Sequence, residues 1–271
     1  MSYFVRPALA AVVLAAVLPA AAPAAILNVT VTIENLAPAD SISFAPLRLG
    51  FHNGTFDAFN NGEVAGSAII SIAEGGSGLP SPLVPGPGWF EAFAAAEPQA
   101  VLGSVGGALL PGATASDTFL VDTSVNPFFT FGTMVIPSND FFLGNDSPTA
   151  FQLFDAAGNL LITAIDQRAD DIWDAGSELF DPAAAAFLVG GNNDLRTPQG
   201  GVVNFNFTEL SGFDGLTTAA GYVFDSQLAA GTEVYRITFT VQSVPEPASV
   251  GLVGLGVAGL AAARRLRRAA R

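Results

Sequence analysis

Ile26-Leu27-Asn28-Val29-Thr30-Val31-Thr32-Ile33-Glu34 is the stretch that decides the fold class. Leu27, Val29, Val31 and Ile33 fall on one side of an extended chain, with Asn28, Thr30, Thr32 and Glu34 on the other. A period of two, rich in β-branched residues, is the pattern of a half-buried strand. Near the far end, Tyr235, Ile237, Phe239 and Val241 alternate with Arg236, Thr238 and Thr240 in the same way. A first and a last strand of this kind predict one body between them. Further strands are expected over residues 43–51, 117–121, 128–136, 149–154, 160–165 and 202–207. Asp155-Ala156-Ala157-Gly158-Asn159 reads as a hairpin turn, with glycine where a positive φ is needed. One short helix is expected at residues 89–96, ended by Pro98, and the Gly/Pro/Ser-rich residues 75–88 read as an exposed loop. Twenty-two phenylalanines suit a sheet-on-sheet core. With many short strands and no βαβ rhythm, the expectation is an all-β antiparallel β-sandwich with a minor short helix.

Both ends of the 271-residue chain differ from this body. Arg6 precedes an apolar run over residues 8–22, and Ala22-Pro23-Ala24 has the small-x-small form of a cleavage site. Residues 1–25 therefore read as a secretory signal peptide. At the other end, Val244-Pro245-Glu246-Pro247-Ala248-Ser249 leads into an apolar, glycine-rich run over residues 250–263. Arg264-Arg265-Leu266-Arg267-Arg268 follows. That run is shorter than the roughly 20 residues of a comfortable membrane span, and the arginines belong on the cytoplasmic side. Helical hydrophobic segments are thus expected at both termini. The order of motif (244–249), span (250–263) and arginine-rich end (264–271) resembles the PEP-CTERM sorting signal of Gram-negative bacteria. The resemblance implies export across the inner membrane and cleavage of the tail (244–271) by a membrane-embedded exosortase. It also implies delivery to the cell surface or the extracellular space of bacteria that typically make extracellular polysaccharide.

The body, residues 26–243, is strongly acidic. It keeps only Arg48, Arg168, Arg196 and Arg236 against 23 of the 24 carboxylates, and the chain has no lysine. Such a surface repels nucleic acid and attracts cations. Membrane contact is expected only through the terminal segments. Without cysteine, the exported body has no disulfide to rely on and needs a substantial core.

Chemistry is sparse. The one histidine, His52, beside Asn53-Gly54, reads as a polar residue at a turn edge; without cysteine or a second histidine, no ordinary zinc site and no Cys–His pair can be built. The informative segment runs from Asp166 to Asp181 and holds Asp166, Asp170, Asp171, Asp174, Glu178 and Asp181, relieved only by Arg168. Clustered carboxylates repel one another, and a hard divalent cation with oxygen ligands removes that repulsion. Asp174 and Glu178 flank Ala175-Gly176-Ser177, where glycine lets the loop fold back. The spacing is not that of an EF-hand, and from these residues alone a solvated acidic loop is the favoured reading over a metal site.

Trp173-Asp174-Ala175-Gly176-Ser177-Glu178 resembles the Trp/Tyr-Asp-Ala-Gly-Thr-Asp segment of the spondin N-terminal domain. Thr133-Met134-Val135-Ile136-Pro137-Ser138-Asn139-Asp140-Phe141-Phe142-Leu143-Gly144 resembles a second segment of that family, and Ser43-Phe44-Ala45-Pro46 with His52-Asn53 its opening. The resemblance implies a C2-like sandwich acting in matrix or adhesion. It also implies a calcium ion held by Asp140, Asp174 and Glu178. Asn139, Phe141, Ser177 and Glu178 depart from the family's residues. The expectation is a non-enzymatic, calcium-supported adhesion or structural module whose partner is extracellular polysaccharide or another surface component. The alternatives are a carbohydrate-binding module, with Trp89, Tyr222 or surface phenylalanines stacking on sugars, and a glycoside hydrolase working through paired carboxylates.

Overall fold

The computed structural model describes residues 26–244. The expected signal peptide, the tail and their hydrophobic helices lie outside the described residues. Within them no helix is long and apolar enough to cross a membrane.

Eleven strands follow one another along the chain: β1 (Ile26–Asn35), β2 (Ser43–Phe44), β3 (Leu47–His52), β4 (Val101–Val105), β5 (Thr114–Asp122), β6 (Phe128–Ile136), β7 (Phe141–Gly144), β8 (Ala164–Arg168), β9 (Trp173–Asp174), β10 (Asn204–Phe205) and β11 (Glu233–Ser243). Two helices, α1 (Ser67–Ala73) and α2 (Trp89–Ala96), fall between β3 and β4. One sheet has the order β5-β1-β11-β8. The other runs β10-β9-β7-β6-β3-β4, with β2 beside β6, and every pairing is antiparallel.

The sequence pattern accounts for these layers. Along β1, Val29, Val31 and Ile33 are buried while Asn28, Thr30 and Thr32 are only half covered, as alternation demands. They meet Leu47, Leu49, Phe51, Phe129 and Phe131 of the second sheet in one apolar layer. Phe129 contacts Phe239 edge-on at 4.9 Å between ring centres, and Phe44 meets Tyr235 at 4.6 Å. The second sheet is covered on its outer face too, where Ile69, Ile72, Trp89 and Phe93 of the helices pack with Phe142 and Trp173. Hence β6 has no polar alternation: a strand with apolar neighbours on both faces reads as a continuous run.

The expected helix at 89–96 and the strand at 128–136 match α2 and β6. Residues 43–51 do not form one strand: Ala45-Pro46 separates β2 from β3, since proline brings no N–H to a ladder. Around residues 155–159 the turn forms, with Asp155 N–H donating to Asn159 O and Gly158 at φ +80°. Its arms make only the isolated bridges Phe154–Leu160 and Phe128–Gln152 rather than two full strands. His52 corrects the turn-edge expectation. It closes β3, fully buried, with Nδ1 3.0 Å from Glu97 Oε1 and Nε2 2.9 Å from Thr130 Oγ1.

Register fixes the two ends of the sandwich. Ile26 pairs with Asp122 and Leu27 with Ser243, so the described chain begins and finishes at one end. The Asn35 side chain, at the other end, donates to Ile42 O and Leu109 O, and nearby Ser43 pairs with Ile136. The chain leaving β6 at Ile136 therefore enters the site-bearing turn at the end opposite the termini.

Candidate functional site

The site is built on two segments. The first is the turn Pro137–Asp140 between β6 and β7; the second is the loop that follows β9. Strand pairing brings them together, because Phe141 is opposite Asp174 and Phe142 opposite Trp173. Beneath the loop, Trp173 is buried, donates from Nε1 to Gly144 O at 3.0 Å and stacks on Phe205 at 3.7 Å. Its indole is a packing element. Trp89 is fully buried as well, which removes it from the surface aromatics available for stacking on a sugar. Tyr222 donates its hydroxyl to Ser41 O from a half-buried position.

Asp174 Oδ1 accepts from Gly176 N–H at 2.7 Å and turns the chain sharply. Gly176 sits at φ +62°, and a Cβ there would stand 2.7 Å from the backbone N and O of Val202. The turn aims the next two amides at Asp140. Its Oδ2 accepts from Ser177 N–H at 2.7 Å, Glu178 N–H at 2.9 Å and the Ser177 hydroxyl at 3.1 Å. Asn139, which departs from the spondin-like pattern, clamps the same loop. It donates from Nδ2 to Glu178 Oε1 and Asp181 O, and accepts from Asp181 N–H at Oδ1.

Asp140, Asp174 and Glu178 are thus gathered in one buried acidic cluster, 2%, 5% and 1% exposed. Burial, the repulsion of Asp174 second, raises Asp140 from 3.8 to about 7 against the pull of its three donors. Glu178 is likewise pushed to about 7 by burial, with Glu74 and Asp140 adding repulsion and Asn139 and Arg196 opposing it. Arg196 grips Glu74 through Nε and Nη2, both at 2.6 Å, and donates to Ser177 O.

A cavity of about 10 Å³ opens within the cluster, lined by Ser138, Asn139, Asp140, Phe141, Glu178, Phe180, Glu209 and Phe213. That volume holds a water-sized occupant. Among the described residues, two lining acids each keep an uncommitted oxygen: Glu178 Oε2 is buried with no partner, and the three bonds to Asp140 fall on Oδ2. Asp174 lies apart from this lining, its oxygens bonded to Gly176 N–H and Asn206 Nδ2. Glu209 lines the cavity instead, and burial with the nearby Asp174 charge raises its pKa. Nothing in the sequence marked Glu209, which is 31 residues beyond Glu178. As the side chains stand, no three acids or histidines among the described residues form a metal-holding group. Asp170, Asp171 and Asp181 do not line the cavity.

Residues 243–268 match the PEP-CTERM protein-sorting motif. The tail is a PEP-CTERM sorting signal. The protein is exported across the inner membrane, processed at its tail by an exosortase-type enzyme, and attached to or released at the bacterial cell surface. The PEP-CTERM motif begins at Ser243, the last residue of β11. The spondin resemblance has no supporting family match, and no curated protein matches the chain.

Proposed function

We propose that the exported body is a non-catalytic adhesion or structural module of the bacterial surface, supported by calcium at its acidic end, as the spondin resemblance implies. The observation that carries this reading is the bare, buried Glu178 Oε2 in a cavity that Asp140 also lines. A buried carboxylate oxygen left without a partner is costly, and a hard cation with oxygen ligands is a partner its chemistry favours. Asp140 and Glu178 are the residues that would hold the ion, with Glu209 beside them; Asp174 shapes the loop and adds negative charge. Calcium would neutralise the cluster and tie the turn before β7 to the loop after β9.

The sole histidine supports the non-catalytic reading. Thr130, His52 and Glu97 lie in a line that looks like a hydroxyl–imidazole–carboxylate relay. All three are buried, however, and Asn145 Nδ2 donates to the Thr130 hydroxyl. Glu97 meanwhile accepts backbone N–H groups of Asn53, Thr55 and Phe56, so the line staples a loop to α2 rather than facing a substrate.

Calcium titration with thermal melting tests the proposal. A bound ion raises the melting temperature by ligand linkage, and Glu178→Gln or Asp140→Asn should abolish the rise. A body whose melting is indifferent to calcium would remove the cation from the proposal. Calcium-independent binding on a glycan array would favour the carbohydrate-binding alternative.

A further inference from the structure

Strand β11 is paired unequally on its two sides. On one, β1 accompanies it to the end, through Leu27 opposite Ser243. On the other, β8 stops at Ala164 opposite Thr238, and the bond from Phe239 N–H to Thr163 O at 2.9 Å is the last along that edge. In an antiparallel strand the N–H and C=O of one residue point to the same side, and the side alternates with each residue. Since Phe239 faces the β8 side, Val241 and Ser243 face it too, beyond the point where β8 has left. Among the described residues nothing pairs with them there.

Residues 240–243 are exposed. Ile237-Thr238-Phe239-Thr240-Val241-Gln242-Ser243-Val244 contains no charge and no proline. Sheet edges are normally blunted by lysine, proline or a bulge, because an open edge accepts another strand. This one is left unguarded at the place where the sorting motif starts. Ser243 is the last residue of β11 and the first matched residue, and only Val244 separates it from Pro245-Glu246-Pro247.

We propose that the open edge of β11, from Thr240 to Ser243, is the docking strand for the enzyme that processes the tail. That enzyme would add an extended segment of its own backbone beside Val241 and Ser243, the strand-addition mode of peptide recognition. Main-chain bonds give the grip and set the register of the adjoining Pro-Glu-Pro motif. The folded body is then part of the substrate, and a finished β1–β11 ladder is what presents the edge. A protein whose last strand had not formed would offer the motif without it.

Two full-length variants test this in cells carrying the processing enzyme, with pulse-chase of tail removal as the readout. Val241→Pro removes an outward N–H and leaves the bonds to β1 in place, as proline on an edge allows. Inserting Gly-Ser-Gly-Ser between Ser243 and Val244 leaves the edge and everything from Val244-Pro245-Glu246-Pro247 onward intact but breaks their register. Both should slow tail removal by about tenfold or more, the effect of losing one or two backbone hydrogen bonds. Signal-peptide removal and melting temperature should stay as in the parent chain, and Gln242→Ala should be processed normally. Parental processing of the spacer chain overturns the proposal, as does parental processing of a folded Val241→Pro chain. If Val241→Pro melts early, the spacer chain decides alone. A body that sediments as a dimer, dissociated by Val241→Pro, would assign the edge to a second copy and equally overturn it.

Discussion

Asp140 and Glu178 hold protons at a pH where ordinary carboxylates have lost them, because burial and neighbouring acids penalise their charged forms. The folded protein therefore binds more protons than the unfolded chain between the ordinary carboxylate range and about 7. Their contribution is full below that window and is lost as pH rises through it. Without calcium, the melting temperature of the parent chain should climb, relative to Asp140→Asn, as pH falls from 8 to 5; identical profiles would contradict the raised value. Calcium competes with these protons, so its stabilising effect should be greatest above pH 7 and fade below it. His52 has the opposite sign: burial, only partly offset by Glu97, lowers its pKa, so its contribution is present at neutral pH and weakens in acid. Comparison with Asp140→Asn removes that background. His52→Ala leaves Glu97 and Thr130 each short of a buried partner. It should destabilise the body by about 2–4 kcal/mol in denaturant melts. Glu178 was legible as an acid beside the glycine-bearing turn at residues 175–177, and Asp140 only through the spondin resemblance. Glu209 was not, since its approach to the cavity comes from a separate segment folding over the end of the sandwich.

Among the elements, the loop after β9 depends most on one residue. Gly176→Ala combines a positive φ with a Cβ driven onto the Val202 backbone. It should destabilise by about 1–3 kcal/mol and abolish any calcium response while the sheets persist, read by denaturant melts and calorimetry. The long strands were legible wherever one face is wet: β1 and β11 alternate because their outer face meets solvent. α1, β7 and β9 were not, and the reason is length. Seven, four and two residues carry too little period to distinguish helix, strand and loop. The β7–β9 pairing that joins the two acidic segments arises only when both are laid on the edge of the second sheet.

At the scale of the whole molecule, the described chain begins and finishes at one end, and the acidic cavity sits at the other. A chain held by its tail thus presents its candidate cation site away from the point of attachment. Removing residues 245–271 should leave the melting temperature of the body unchanged and abolish surface delivery, as fractionation of cells would show. Removing β11 should prevent folding, since that strand lies between β1 and β8 and supplies Tyr235, Ile237 and Phe239 to the core. A truncated chain that still unfolds cooperatively would contradict that.

By itself, the sequence determined the sheet character, the acidity of the exported body and the sorting tail, all of them local: two-residue alternation, a count of charges, a contiguous motif. Tertiary structure alone decided which acids meet, which oxygen is left bare and which edge of the last strand stays open. These depend on register between distant segments, and a one-dimensional pattern carries no record of which strand lies beside which or where a neighbour stops.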